Sequence, residues 1–262
     1  SMPSPRLYAP RQPLVLIPGL LCDALLWANQ IEALGASADC WVADHSRSNS
    51  VTAIARDVLH DCPFERFSLA GLSMGGYIAL EIQRQAPQRV QRLALLDTNA
   101  RPDSPEQTER RNAFIDLAAR GRFVGVTDAL LPLLLHRSLQ NHPGLVAVIK
   151  TMARNTGREN FVRQEQAIIS RCDSRPLLGT IDCPTVVLCG AQDQLTPPAL
   201  HEEMAAAIPG ARLHVVNDCG HLSTLERPEE VTTALEQWLE QAEPATTAAA
   251  ARTPPGATPA SG

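Results

Sequence analysis

Between residues 13 and 97 the chain repeats one pattern, a short apolar run followed by a longer stretch with apolar residues at helical spacing. The runs at residues 14–17, 40–43, 67–70 and 93–96 are too short and too uniformly apolar for surface helices, and they read as buried strands. The intervening residues 26–34, 51–59 and 76–85 read as amphipathic helices. Strand–helix–strand alternation requires parallel pairing, because parallel neighbours need a long crossover. The expected fold class is therefore α/β, a mainly parallel sheet flanked by helices.

The alternation stops at Thr98. Residues 98–181 open with the turn-rich RPDSPEQTERR and contain no convincing strand, only helical stretches at 110–119, 127–135, 146–153 and 161–170. It resumes with strands at 185–188 and 213–216 and helices at 200–208 and 229–239. This pattern predicts an α/β core, residues 13–97 and 182–241, interrupted by a helical cap, residues 98–181, packed over the edge where the strands end. Residues 1–12 and 242–262 are expected to be flexible termini, the second being low-complexity and poor in large apolar groups.

Composition narrows the function classes. At 262 residues and 44% apolar the chain can bury a large core. No apolar run approaches the roughly 18 residues that cross a bilayer, so no membrane partner is expected. A net charge of −5 with scattered arginines lacks the basic footprint of a nucleic-acid partner. Lys150 is the only lysine, which excludes a phosphate-loop GK[ST] motif. The seven cysteines stand singly and read as buried small hydrophobes, not as a disulfide frame or zinc site. The N-terminal residues lack the apolar core of a signal peptide, so a cytoplasmic location is expected, and the Arg/Ala-rich composition suggests a bacterial source.

The sharpest chemical signal is Gly71-Leu72-Ser73-Met74-Gly75-Gly76, directly after the strand FSLA and directly before a helix. A sharp strand-to-helix turn needs small residues two before and two after its apex, where the two backbones nearly touch. Gly71 and Gly75 fill those positions and lift Ser73 clear of the sheet. A serine hydroxyl is a weak nucleophile, so it needs a base, and the base needs an orienting carboxylate. TVVLC leads into Gly190-Ala191-Gln192-Asp193, and LHVV leads into Asn217-Asp218-Cys219-Gly220-His221. Both put a candidate just past a strand end, on the same edge as Ser73, in the chain order Ser, Asp, His. Asp193 could instead cap the helix starting near Pro197, His221 could be an ordinary loop histidine, and Asp97 at the end of LALLD is an alternative acid. Asp218 is too close in sequence to His221 to orient its ring easily.

An oxyanion site is typically formed by two backbone N–H groups. Met74, next to the nucleophile, and Leu20, in the loop after the first strand, are the candidate donors, with Gly19 giving the backbone room to turn. His201-Glu202 begins like a zinc-protease motif but has Ala205 where the second histidine belongs. No metal and no cofactor are expected.

These residues resemble the α/β-hydrolase superfamily over about residues 14–239, through the Pro18-Gly19 loop with Trp27 behind it, GLSMGG, LALLDT, GAQDQLTP and CGHLSTLERPEEV. The resemblance implies the α/β-hydrolase fold, a Ser73–His221–Asp193 triad and a helical lid, and is nearest to the carboxylesterase and enol-lactonase branch. Two departures stand out. Pro18 replaces the family's usual histidine before the oxyanion glycine, a small change where the donor is a backbone N–H. The chain also begins almost at the family's third strand, so the N-terminal hairpin is expected to be missing and about six strands to remain.

Substrate choice is less legible. The insert carries a run of leucines, Leu130 to Leu135 around Pro132, that reads either as its own core or as an aliphatic wall. Leu131 and Leu135 are candidate pocket residues on the second reading, as is Cys22, which ordinary packing explains equally well. His136 closes the run and could meet a polar substrate end or simply be solvated. The expected activity is serine-dependent hydrolysis of a small-to-medium aliphatic ester, the small-molecule ester being the expected partner. A lactonase, a carbon–carbon bond hydrolase, a cofactor-free perhydrolase or a ligand-sensing protein on the same fold remain alternatives, and oligomeric state stays open.

Overall fold

The structure is a computed structural model that describes residues 10–243. The expected flexible termini lie outside the described residues, apart from 10–12 and 242–243. Six strands form one sheet: β1 (Gln12–Ile17), β2 (Ala38–Val42), β3 (Phe67–Leu72), β4 (Val90–Leu96), β5 (Thr185–Gly190) and β6 (Arg212–Val216). Their order is β2-β1-β3-β4-β5-β6 and every pairing is parallel. Each expected strand is present; five are extended by one to three residues, while the second starts two residues earlier than expected and ends at Val42, leaving Ala43 outside it.

Alternation of apolar side chains along the strands builds two cores. Leu14 and Leu16 face a cluster with Leu72, Leu96 and Trp238. Val15 and Ile17 face the opposite cluster with Phe67, Leu69 and Ile78. A strand buried on both faces must be apolar at every position, which is why these runs do not alternate with polar residues.

The helices are α1 (Ala28–Leu34), α2 (Val51–Asp61), α3 (Met74–Gln85), α4 (Pro105–Ala119), α5 (Leu131–Leu134), α6 (Pro143–Ser170), α7 (Arg175–Leu178), α8 (Pro198–Ala207), α9 (Ser223–Glu226) and α10 (Pro228–Leu239). Local signals set several of their starts. Ser50 accepts from the Ala53 N–H ahead of α2, and Ser104 and Gln107 form a reciprocal capping box at α4. Helices α4 to α7 lie between β4 and β5.

Three helical expectations need correction. The stretch 26–34 opens with a 3-10 turn, Ala24–Trp27, started by the Asp23 carboxylate. Only Leu131–Leu134 of residues 127–135 is helical: Pro132 has no N–H with which to extend the helix back toward Asp128, and Leu135 is extended. The stretches 146–153 and 161–170 belong to one element, α6, broken at Gly157 where φ is 74° and ψ is 171°.

The strand order fixes where a site can form. From β1 the chain moves outward to β2, then crosses back to β3 and proceeds in the other direction. The loops leaving β1 and β3 therefore part company, opening a crevice at the carboxyl ends of these two strands. Gly19 lies in the first loop and Ser73 in the second.

Candidate active site

Ser73 sits at the apex between β3 and α3 with φ 57° and ψ −115°, a conformation that costs a non-glycine residue on the order of 1–3 kcal/mol. Its surroundings hold it there. The Ser73 N–H donates to Leu96 O at 2.9 Å, and Thr98 Oγ1 donates to Ser73 O at 2.7 Å. A Cβ on Gly71 would stand 2.1 Å from Gly75 O, and one on Gly75 would stand 2.1 Å from Ile17 O. The two glycines are thus required by close backbone approach, as the sequence pattern predicted.

Two loops bring partners to this hydroxyl. His221, in the loop after β6, places Nε2 2.9 Å from Ser73 Oγ. Its Nδ1 lies 2.9 Å from both oxygens of Asp193, in the loop after β5. With Nδ1 protonated toward the carboxylate, Nε2 carries the free lone pair that can accept the serine proton. Asp193 Oδ1 also accepts from the N–H groups of Leu195 and Thr196, at 3.0 and 2.9 Å, and Oδ2 accepts from Thr196 Oγ1 at 2.7 Å. Burial pushes the Asp193 carboxyl up, but the adjoining His221 ring and these donors outweigh it and hold it below the usual carboxylate range. Helix α8 starts at Pro198 with Pro197 before it, so Asp193 braces its own loop and does not cap that helix.

The alternative acid, Asp97, is placed elsewhere. It accepts from the Gly190 N–H at 3.1 Å and from the Ser223 hydroxyl, and makes no bond to His221. Burial, and then the charge of Asp193, push its carboxyl well above the usual range. Asp218 is exposed and faces His136 Nε2 at 3.8 Å. His201 is fully buried: Nε2 accepts from the Thr98 N–H at 2.9 Å and Nδ1 lies 3.2 Å from Pro197 O. Burial brings its pKa down to about 4, so it is a neutral tie between the β4 end and the acid loop.

The candidate oxyanion donors stand at the crevice. Met74 is the first residue of α3, where an N–H has no helical acceptor. The loop carrying Leu20 abuts the nucleophile, for a Cβ on Gly19 would lie 3.4 Å from Ser73 Cβ. Neither the Leu20 nor the Met74 N–H donates to another group among the described residues. Cys22, Leu131 and Leu135 are buried in one apolar cluster with Leu26, Met152 and Leu222. His136 is not aimed at Ser73, since its ring bonds Ser138 Oγ at 2.7 Å and approaches Asp218.

Several residues of the site were not singled out as such in the sequence. Glu226 accepts from the N–H groups of Gly220, Leu222 and His136, at 2.9, 2.8 and 2.7 Å, pinning the peptides on both sides of His221. Thr98 braces the elbow. His45 and Gln164 bond the loop of Leu20 from 26 and 143 positions along the chain. Only Glu226, five residues after the histidine in CGHLSTLE, lay close enough for local pattern to suggest it.

Comparisons with known proteins agree with this architecture. A 2-hydroxy-6-oxononadienedioate/2-hydroxy-6-oxononatrienedioate hydrolase of Paraburkholderia xenovorans (strain LB400) is 30% identical over 225 residues, covering 80% of this chain and 72% of the relative. A thermophilic esterase from Thermogutta terrifontis superposes with a TM-score of 0.81 at 32% identity, covering 89% of this chain and 91% of that one. An enol-lactonase from Burkholderia xenovorans LB400 gives 0.80 at 26% identity, with 89% and 93% covered. The family profile described as alpha/beta hydrolase fold matches residues 12–228. With the six-stranded parallel sheet and the glycine-flanked turn at Ser73, that match means that the chain belongs to the α/β-hydrolase fold family.

Proposed function

We propose that the protein is a serine hydrolase that cleaves small-to-medium, mostly aliphatic carboxylic esters. The observation that carries this reading is the unbroken contact path from Ser73 Oγ through His221 to Asp193. His221 Nε2 takes the hydroxyl proton as Ser73 Oγ attacks the ester carbonyl, and Asp193 stabilises the imidazolium. The Leu20 and Met74 N–H groups hold the developing oxyanion. Collapse of the tetrahedral intermediate breaks the bond to the alcohol oxygen, to which His221 returns the proton. Water then attacks the acyl-enzyme with His221 again as base, and Ser73 recovers its proton as the acid leaves. Residues 98–181 serve as the lid, and its leucines, Leu131 and Leu135 among them, form with Cys22 an aliphatic wall for the acyl or alcohol group.

The test is hydrolysis of p-nitrophenyl esters from acetate to dodecanoate by the wild type and by Ser73→Ala. The expected result is turnover that falls by about 10⁴-fold or more in the variant, with a chain-length optimum that sizes the pocket. Equal rates in the two proteins would overturn the reading. Likeness to the Paraburkholderia enzyme favours a second reading, cleavage of a carbon–carbon bond beside a ketone. That reading requires turnover of a 2-hydroxy-6-oxo-dienoate to exceed that of every ester tried.

A further inference from the structure

The proposed oxyanion donor, the Leu20 N–H, belongs to the peptide group whose carbonyl is Gly19 O. In a planar trans peptide the N–H and C=O point in opposite directions, so whatever fixes the carbonyl aims the N–H. His45, in the loop after β2 and 4% exposed, lies with Nε2 2.7 Å from Gly19 O. A carbonyl only accepts, so the ring nitrogen is protonated and donates. Cys22 N–H adds a longer bond to the same oxygen at 3.2 Å.

The next peptide group is held as well. Leu21 has φ 60°, left-handed and strained for a leucine, and its N–H donates to Gln164 Oε1 at 3.0 Å. Gln164 is 1% exposed and comes from the second half of α6. Its amide nitrogen lies 3.4 Å from His45 Nε2, so the two clamps stand side by side.

We propose that His45 and Gln164 are positioning residues for the oxyanion hole, clamping the peptide groups before and after Leu20 so that its N–H faces the carbonyl attacked by Ser73. His45 does more than orient, because donation to Gly19 O polarises the amide and strengthens its N–H as a donor to the oxyanion. Gln164 makes the arrangement conditional on α6, tying assembly of the hole to seating of the lid. The inference rests on the serine-hydrolase reading.

The test compares His45→Phe, His45→Gln and Gln164→Met with the wild type in the full chain. Two readouts are used: p-nitrophenyl butyrate kinetics and the rate at which a fluorophosphonate labels Ser73. Phenylalanine keeps the ring without the donor, whereas glutamine restores an N–H near the Nε2 position. H45F and Gln164→Met are expected to lower kcat and the labelling rate about 10- to 100-fold, less than outright loss of an oxyanion donor, with KM within about twofold. H45Q is expected to stay within about threefold of wild type. Wild-type kcat in both H45F and Gln164→Met, a loss confined to KM, or equal damage in H45F and H45Q would overturn the inference. If H45F fails to fold, Gln164→Met carries the test. A wild type that neither labels nor turns over would sink the hydrolase reading and this inference with it, whereas a labelled wild type beside an unaffected H45F and Gln164→Met sinks the inference alone.

Discussion

Asp97 and Asp193 are two buried carboxyls at the ends of adjacent strands, and their surroundings push them in opposite directions. Asp193 is held below the usual range, chiefly against burial, by its histidine partner, whereas Asp97 is driven well above it by burial and by Asp193 itself. Asp193→Asn should therefore lower kcat by about 10⁴-fold, because the amide no longer fixes the tautomer that leaves Nε2 free. Asp97→Asn should keep kcat within about tenfold, since an amide can accept from Gly190 N–H and donate to the Ser223 hydroxyl. Near-normal kcat in Asp193→Asn with collapse in Asp97→Asn would reverse the assignment. Stability separates them as well. A carboxyl whose folded pKa is raised contributes stability below its unfolded pKa, near 3.8, and that contribution is lost as pH rises through the folded value. The Tm of Asp97→Asn minus that of the wild type should consequently grow between pH 4 and pH 8. A difference that shrinks or stays flat would mean that Asp97 is not a destabilising buried charge. Sequence alone could list both acids at the right edge, but only the loop geometry beyond β5 decides which one reaches His221.

At the scale of elements, strands were more legible than helices. A strand buried on both faces must be apolar throughout, and that leaves an unambiguous run in the sequence. Helix α6 was harder because polar residues interrupt its apolar pattern and Gly157 resets the phase between its halves. Gly157 occupies a region of φ and ψ open almost only to glycine, and a Cβ there would meet nothing within 4 Å. Gly157→Ala should thus cost about 1–3 kcal/mol through backbone strain alone, visible as a lower urea midpoint. An unchanged midpoint would show that the break relaxes freely. The base of the insert is fixed differently. Arg111 donates to Asp103 at 2.9 Å and to Glu165 at 2.8 Å, and Arg171 also pairs with Asp103. These carboxylates are almost completely buried, so Arg111→Met strips Glu165 of its cation and leaves Asp103 with one. Loss of about 3 kcal/mol is expected, most of it the cost of a buried charge left unpaired. A change under about 1 kcal/mol, measured by urea unfolding, would show that water reaches the vacated site.

At the scale of the whole molecule, sequence pattern divides the chain into a core and an insert, and packing joins them again. Val126, Leu131, Leu135, Ile149, Met152 and Ala153 share one apolar cluster with Leu14 and Leu16 of β1 and Leu72 of β3. Ala167 and Ile168, from the end of α6, pack into the cluster on the other face with Val15 and Ile17. Polar contacts cross the same boundary. Leu134 O accepts from the His221 N–H at 3.0 Å, and Glu226 holds His136. None of these long-range pairings has a local signature, so linear pattern could place the insert but not show how much of the core it completes. Removing it would expose one side of both clusters and free the loops that carry His221 and Leu20. The two parts should therefore unfold together, as small units that share a core do. The three tryptophans, Trp27, Trp41 and Trp238, all lie outside the insert, while α6, the longest helix, lies within it. Tryptophan fluorescence consequently reads the core and far-UV circular dichroism reads both parts. Coincident urea midpoints are expected from the two probes. A helical loss that precedes the fluorescence change would show an insert that melts on a folded core, and would make the Gln164 tie to Leu21 the first contact to break.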